Sequence, residues 1–158
     1  MKKTNALRLL DAKHIPYETV TYSVDEQDLS GAHILDFIPL PAEAVFKTLV
    51  LKGDRKGIIV CMIPALKEID LKKLAQAIQD KKVEMLPMKQ LLPTTGYIRG
   101  GCSPVGMKKH FPTYIDQSCL AHERLSVSAG VRGMQMLLKR EDLIAVSQAK
   151  CVDVVKEM

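Results

Sequence analysis

An α+β domain built on a mixed, strongly curled and open barrel-like β-sheet flanked by helices is the fold class this sequence predicts. Three observations carry the expectation. Seven or eight short strand patterns are interspersed with helical ones. Many of the strand pairs are joined by turns too short for a parallel crossover. The 158 residues, 47% of them apolar, supply one sizeable core but too little chain for two ordinary domains. The whole of 1–158 therefore reads as a single domain, and so many short strands in it should curl, leaving a pocket at one end.

Thr4 can cap a first helix with Ala6, Leu7 and Leu10 on one face, and His14-Ile15-Pro16 ends it. Residues 17–24, rich in Thr, Tyr and Val, follow as a strand, with Tyr22 near its end where a side chain can face a cleft. Residues 28–37 suggest a short helix through Leu29, Ala32, Leu35 and Phe37, after which Pro39 and Pro41 re-aim the chain. The strongest strand is 45–52, which Gly53 to Gly57 turns back into 58–63 as a central hairpin. Asp70 caps a helix running to Gln79, its stripe formed by Leu71, Leu74, Ala75 and Ile78. Residues 83–86 read as a strand, 88–92 as one helical turn and 97–99 as a further strand. Beyond Pro112, strands at 113–116, 124–128 and 134–138 precede a helix at 141–148 and a last strand at 151–156. No repeat, linker or low-complexity segment interrupts them.

Composition excludes several classes. No apolar run approaches the roughly 18 residues that span a bilayer, and the chain opens on an amphipathic pattern, so a soluble cytoplasmic protein without membrane contact is expected. Cys61, Cys102, Cys119 and Cys151 form no C-x-x-C pair, and His14, His33, His110 and His122 are isolated. Neither a zinc site, nor a disulfide framework, nor a cofactor is suggested. The net charge of +5 is modest, but the doublets Lys2-Lys3, Lys72-Lys73, Lys81-Lys82 and Lys108-Lys109 suit a polyanion as well as they suit solvated helix faces. Without Trp and with few aromatics, a platform that stacks several single-stranded bases is disfavoured.

Two features depart from an ordinary globular pattern. Alternation places Lys47 on a strand face with Val45, Leu49 and Leu51, while Phe46, Thr48 and Val50 take the other face. An ammonium group in such company either snorkels to the sheet edge or sits in a pocket for an anionic or carbonyl-bearing ligand. In residues 95–106, four glycines surround Cys102-Ser103-Pro104. Such a bend lets a ligand approach the backbone and can leave amides free to hold an oxyanion or phosphate, although a glycine-rich hairpin without ligand has the same spacing. A P-loop fails because Met107 stands where lysine is required, and a hydrolase elbow fails because Val105 follows Pro104. Ser103 thus reads as a residue that hydrogen-bonds its own loop.

Taken together, Thr21-Tyr22, Val45-Phe46-Lys47-Thr48-Leu49, Gly96-Tyr97 with Gly100-Gly101-Cys102-Ser103-Pro104-Val105-Gly106, and Val127-Ser128-Ala129-Gly130-Val131-Arg132-Gly133 resemble the YbaK/EbsC family. These are free-standing relatives of the prolyl-tRNA synthetase editing domain, and the resemblance runs along essentially the whole chain. It implies removal of cysteine from mischarged Cys-tRNA(Pro), with Cys-tRNA(Cys) as a further substrate, prolyl-tRNA synthetase as a candidate partner, and no DNA. It implies Lys47, Gly101 and Ser128 as catalytic positions, with Tyr22, Phe46, Thr48, Gly100, Cys102, Ser103 and Gly130 around the substrate. The family has no evident side-chain nucleophile, so the implied attack comes from the substrate's own thiol. Activated water, serving alanine esters as well, is the competing route, and a non-catalytic tRNA- or synthetase-binding module is the alternative of another class. Ala129 stands where relatives often carry a second glycine.

Overall fold

The structure is a computed structural model that describes residues 3–24 and 31–157. The start of the expected helix at 28–30 and Lys2 of the first lysine doublet lie outside the described residues. Helix α1 (Asn5–Ala12) opens the fold; the Thr4 hydroxyl accepts the Leu7 N–H at 3.2 Å and so satisfies one of the helix's free donors. Strand β1 (Glu18–Thr21) and a 3-10 helix (Gly31–Phe37) follow. The predicted central hairpin is β2 (Phe46–Gly53) and β3 (Gly57–Pro64), in register from Phe46↔Pro64 to Gly53↔Gly57.

Helix α2 (Leu71–Ile78) starts where the Asp70 carboxylate accepts the Lys72 and Lys73 amides, and ends at Gln79 in the left-handed conformation. It buries Leu74, Ala75 and Ile78 against Leu51, Ile59 and Ile63 of the hairpin. Each fully buried Leu or Ile there contributes about 1.5–3 kcal/mol. The order is completed by β4 (Val83–Met85), α3 (Met88–Thr95), β5 (Thr113–Asp116), β6 (Arg124–Ser128), β7 (Met134–Lys139), α4 (Arg140–Ser147) and β8 (Lys150–Val152). Among the described residues no helix is long and apolar enough to cross a membrane.

The expected single, strongly curled sheet is not found. The strands divide into a three-stranded sheet, β1-β7-β6, and a five-stranded mixed sheet, β4-β2-β3-β5-β8. They touch through one isolated parallel bridge, Val45↔Ser126. Barrel closure needs a continuous ladder around the girth, and strands of three to five residues such as β4, β6 and β8 cannot sustain one. Leu125, Val127, Met136 and Leu138 from one face of the smaller sheet pack with Ala6, Leu7, Leu10, Phe46 and Met62 into the largest core.

Other expectations also change. Residues 97–99 form no strand, because Gly96 ends α3 in the left-handed conformation and the Ile98 carbonyl accepts the Gly101 N–H in a turn. Helix α3 runs to Thr95, through Pro93, rather than stopping after one turn. The last strand covers only Lys150–Val152, with Val155 returning as a bridge to Ile69.

The thiols sort by burial. Desolvation pushes Cys61, Cys102 and Cys119 up to about 12, with the Cys151 sulfur 3.9 Å from Cys119 adding to the last, whereas Cys151 itself is exposed. Titration of the native protein at neutral pH with an aromatic disulfide reagent is expected to modify Cys151 rapidly and the other three only after unfolding. Fast modification of a second thiol in the native protein would contradict this placement.

Candidate active site

Two of the candidate positions, Lys47 and Ser128, lie on the strands that flank the junction of the two sheets. Strand β4 pairs with β2 only at Leu51–Gly53, and β6 reaches the chain of β2 only at Val45. The edge at residues 47–49 is therefore open between them. The Val45↔Ser126 bridge is parallel, and Lys47 and Ser128 each follow it by two residues along their chains, although the pairing itself does not continue to them. Lys47 is half-buried, and its ammonium group has no hydrogen-bond or ion-pair partner among the described residues. Burial lowers its pKa below the usual lysine value of 10.5, with the Glu68 charge opposing.

Ser128 ends β6 opposite Gln135 of β7. Its oxygen accepts the Gly130 N–H at 3.1 Å, which leaves the hydroxyl hydrogen free to donate elsewhere. Gly130 has φ +106° and faces the Tyr97 ring, where a Cβ would come within 3.0 Å of Cε1. The Thr4 hydroxyl donates to the Ala129 carbonyl, so the cap of α1 also anchors this turn.

The glycine loop leans on the same turn. A Cβ at Gly101 would lie 2.9 Å from the Arg132 nitrogen and 3.0 Å from the Val131 carbonyl carbon, so the close approach of two backbones requires glycine there. The Gly101 N–H is engaged by the Ile98 carbonyl at 3.0 Å. The amides of Gly100, Cys102 and Ser103, by contrast, have no acceptor among the described residues. Ser103 is fully buried and its oxygen accepts the Val105 N–H at 3.3 Å, while the Tyr97 hydroxyl donates to the Val105 carbonyl at 2.6 Å. Ser103 and Tyr97 thus hold the loop's shape.

The remaining predicted positions divide. The Tyr22 N–H donates to the Gly133 carbonyl at 2.9 Å, and its ring stacks on Phe37 at 5.9 Å between centroids. Tyr22 therefore stands beside the β6–β7 turn. Phe46, on the opposite face of β2 from Lys47, is 2% exposed and belongs to the main core, and Cys102 packs with Val50, Leu86 and Tyr97. Both lie behind the surface and support the site from within. With its thiol pushed up to about 12, Cys102 is a poor nucleophile. Thr48 shares the face of Phe46, and its hydroxyl oxygen is buried without a partner among the described residues.

An unsatisfied buried hydroxyl costs about 1–3 kcal/mol. Thr48→Val is accordingly expected to raise the urea midpoint while lowering turnover if the hydroxyl serves substrate. A variant that is less stable and equally active would contradict the assignment.

Phe37 and Gln135 were not among the sequence-predicted site residues. Phe37 is exposed on a short helix and gains meaning only by stacking on Tyr22. Gln135, 3% exposed in the otherwise apolar run of β7, accepts a hydrogen bond from Ser126 at 2.8 Å. A buried amide in an apolar strand was a signal available in the sequence. Among the described residues no three metal-ligating side chains come together.

A lysine without a partner among the described residues, a serine hydroxyl and loop amides without an acceptor there are groups suited to holding an acyl group as negative charge develops on its oxygen. Comparison with known proteins fixes the family. The aminoacyl-tRNA editing domain model matches residues 31–146. The chain belongs to this editing family.

As a member it is an aminoacyl-tRNA deacylase, and the resemblance to the YbaK/EbsC family is confirmed. This editing domain is 42% identical over 153 residues to a protein of Enterococcus faecalis (strain ATCC 700802 / V583) named "Putative Cys-tRNA(Pro)/Cys-tRNA(Cys) deacylase EbsC", across 97% of this chain and 93% of that protein. It is 29% identical over 76 residues to a proline–tRNA ligase of Thermosipho africanus (strain TCF52B), across 48% of this chain and 13% of the ligase. A crystal structure described as "a putative trans-editing enzyme for prolyl tRNA synthetase" superposes with a TM-score of 0.82 at 19% identity, over 99% of this chain and 100% of that one. The hypothetical protein APE2540 superposes at 0.83 with 16% identity, over 97% and 100%. These two likenesses show the fold.

Proposed function

We propose that the protein removes cysteine from mischarged Cys-tRNA(Pro), and from Cys-tRNA(Cys), by letting the substrate's thiol attack its own ester. What supports the reading is that the candidate residues include an unpartnered half-buried lysine and loop amides without an acceptor among the described residues, but no side chain suited to be the nucleophile. Ser103 is buried and bonded to its own loop, and Cys102 is held as a thiol.

In the proposed step the substrate sulfur attacks the ester carbonyl carbon. The C–S bond forms, the bond from that carbon to the ribose oxygen breaks, and the thiol proton ends on the departing oxygen. Water then opens the released thiolactone to free cysteine. Lys47 and the amides at residues 100–103 stabilise the oxyanion, with Gly101 shaping the bend rather than donating. Ser128 donates to the substrate, Tyr22 walls the cleft, and the site holds the thiol over the carbonyl. Prolyl-tRNA synthetase is the partner suggested by the ligase similarity.

The test compares release from Cys-tRNA(Pro), Ser-tRNA(Pro) and Ala-tRNA(Pro), with spontaneous hydrolysis subtracted. Serine is nearly isosteric with cysteine but lacks its nucleophile. Fast release of cysteine alone supports the thiol route, and equal release of all three would replace it with activated water. No release above background from any of them would refute deacylation of these substrates.

A further inference from the structure

The two loops that meet at Gly101 carry no acid. Residues 85–115 include Lys89, Arg99, Lys108 and Lys109 but neither Asp nor Glu, although the chain holds 18 of these. Residues 124–140 are equally free of acid, and Arg132 lies in their central turn.

Arg132 is also clamped. Its Nε donates to the Arg99 carbonyl at 2.7 Å, and its side chain lies across Gly100, where a Cβ would come within 3.3 Å of Nε. Neither Arg132 nor Arg99 has a carboxylate partner among the described residues, unlike Arg124 and Arg140. The Lys108 stem crosses Gly96 in the same way, and its Nζ reaches the Pro93 carbonyl at 3.5 Å.

We infer that Arg132, with the exposed Arg99, forms a phosphodiester-binding site beside the glycine loop for the last nucleotides of the substrate tRNA. Lys108 and Lys109 extend the positive strip. This inference rests on the deacylase reading. With Nε already held, the terminal guanidinium nitrogens remain as a planar fork matched to two phosphate oxygens, and less rotamer entropy is lost on binding than for a free lysine. Phosphate contacts carry no sequence information, so the site would fix register and leave selection to the aminoacyl pocket.

The experiment uses two substrates with the same ester, Cys-tRNA(Pro) and cysteinyl-adenosine, of which the second has no phosphodiester. Arg132→Gln is expected to lose about tenfold more kcat/KM on the tRNA than on the nucleoside, chiefly through KM, with Arg132→Lys in between. The slope of log kcat/KM against log salt for the tRNA should become shallower by about one unit or less. Arg99→Gln keeps the carbonyl that clamps Arg132 and should lose several-fold on the tRNA alone. Equal losses on both substrates, or no loss on either, would overturn the inference and leave Arg132 as a brace for the loop. Binding of uncharged tRNA(Pro), which needs no turnover, separates this from the deacylase reading. A weaker Kd for Arg132→Gln supports the site even if wild type cleaves neither ester, and an unchanged Kd rejects it.

Discussion

Lys47→Met is expected to lower kcat/KM on the cysteinyl substrate by about 10²–10³-fold, the size seen when one oxyanion stabiliser is removed, while the protein stays at least as stable as wild type. The two effects share one cause. Lys47 is half-buried, it has no counter-charge within hydrogen-bond reach among the described residues, and burial holds its pKa below 10.5. Its charged form is therefore disfavoured by folding. The unfolded chain binds the proton more tightly, so stability rises with pH between the depressed native pKa and 10.5, and the full penalty stands below that window. Catalysis follows the opposite sign, since a neutral lysine no longer supports the oxyanion. Wild-type turnover should fall on the alkaline side before an ordinary lysine would titrate. Urea unfolding of wild type and Lys47→Met across that window, with pH–rate profiles of both, checks each half. A less stable methionine variant, or one that keeps its activity, would remove Lys47 from the site.

Gly101→Ala is expected to cost about 1–3 kcal/mol and to reduce kcat/KM by about 10²-fold. The added methyl meets backbone, at 2.9 Å from the Arg132 nitrogen and 3.0 Å from the Val131 carbonyl carbon, so no side-chain rotation relieves it. Either the loop or the turn must move, and each carries candidate site residues. Gly57→Ala is the matched control. Gly57 has φ +72° with nothing within 4 Å of the new methyl, at the far end of the hairpin. It should lose about 1–2 kcal/mol through backbone strain and keep wild-type kcat/KM. Thermal unfolding and kinetics on both variants separate loss of stability from loss of geometry, and equal kinetic losses would show that Gly101 has no special place.

How much of this was legible depended on how far apart the partners lie in sequence. Local signals were sound: the Thr4 and Asp70 caps, the alternation of residues 45–52 and the tight return at Gly53 to Gly57 each rest on neighbours a few residues away. Lys47 was visible too, as one charge on an apolar face. The separation into two sheets was not, because it turns on Val45 meeting Ser126 and on nothing in either segment alone. The family resemblance named Phe46, Lys47 and Thr48 together, while the alternation legible in the sequence already put Phe46 on the side opposite Lys47, where it lies in the core. The glycine bend was read as a source of free amides; the Ile98 carbonyl takes the one at Gly101. Phe37 and the Arg132 clamp depend on contacts that no spacing rule reaches, whereas Gln135 could have been read as an amide in an apolar strand.

The bridge between the sheets also governs when the protein becomes competent during synthesis. Lys47 and the glycine loop leave the ribosome well before β6 and β7, which bring Ser128 and the turn that Gly101 rests on. Contacts of such long sequence separation form late, after loop closure entropy has been met. On the proposed function, a nascent chain that ends before β6 can make the central hairpin but lacks Ser128 and the turn that Gly101 rests on, so editing activity should appear only once the later strands and α4 have emerged, rather than grow with length.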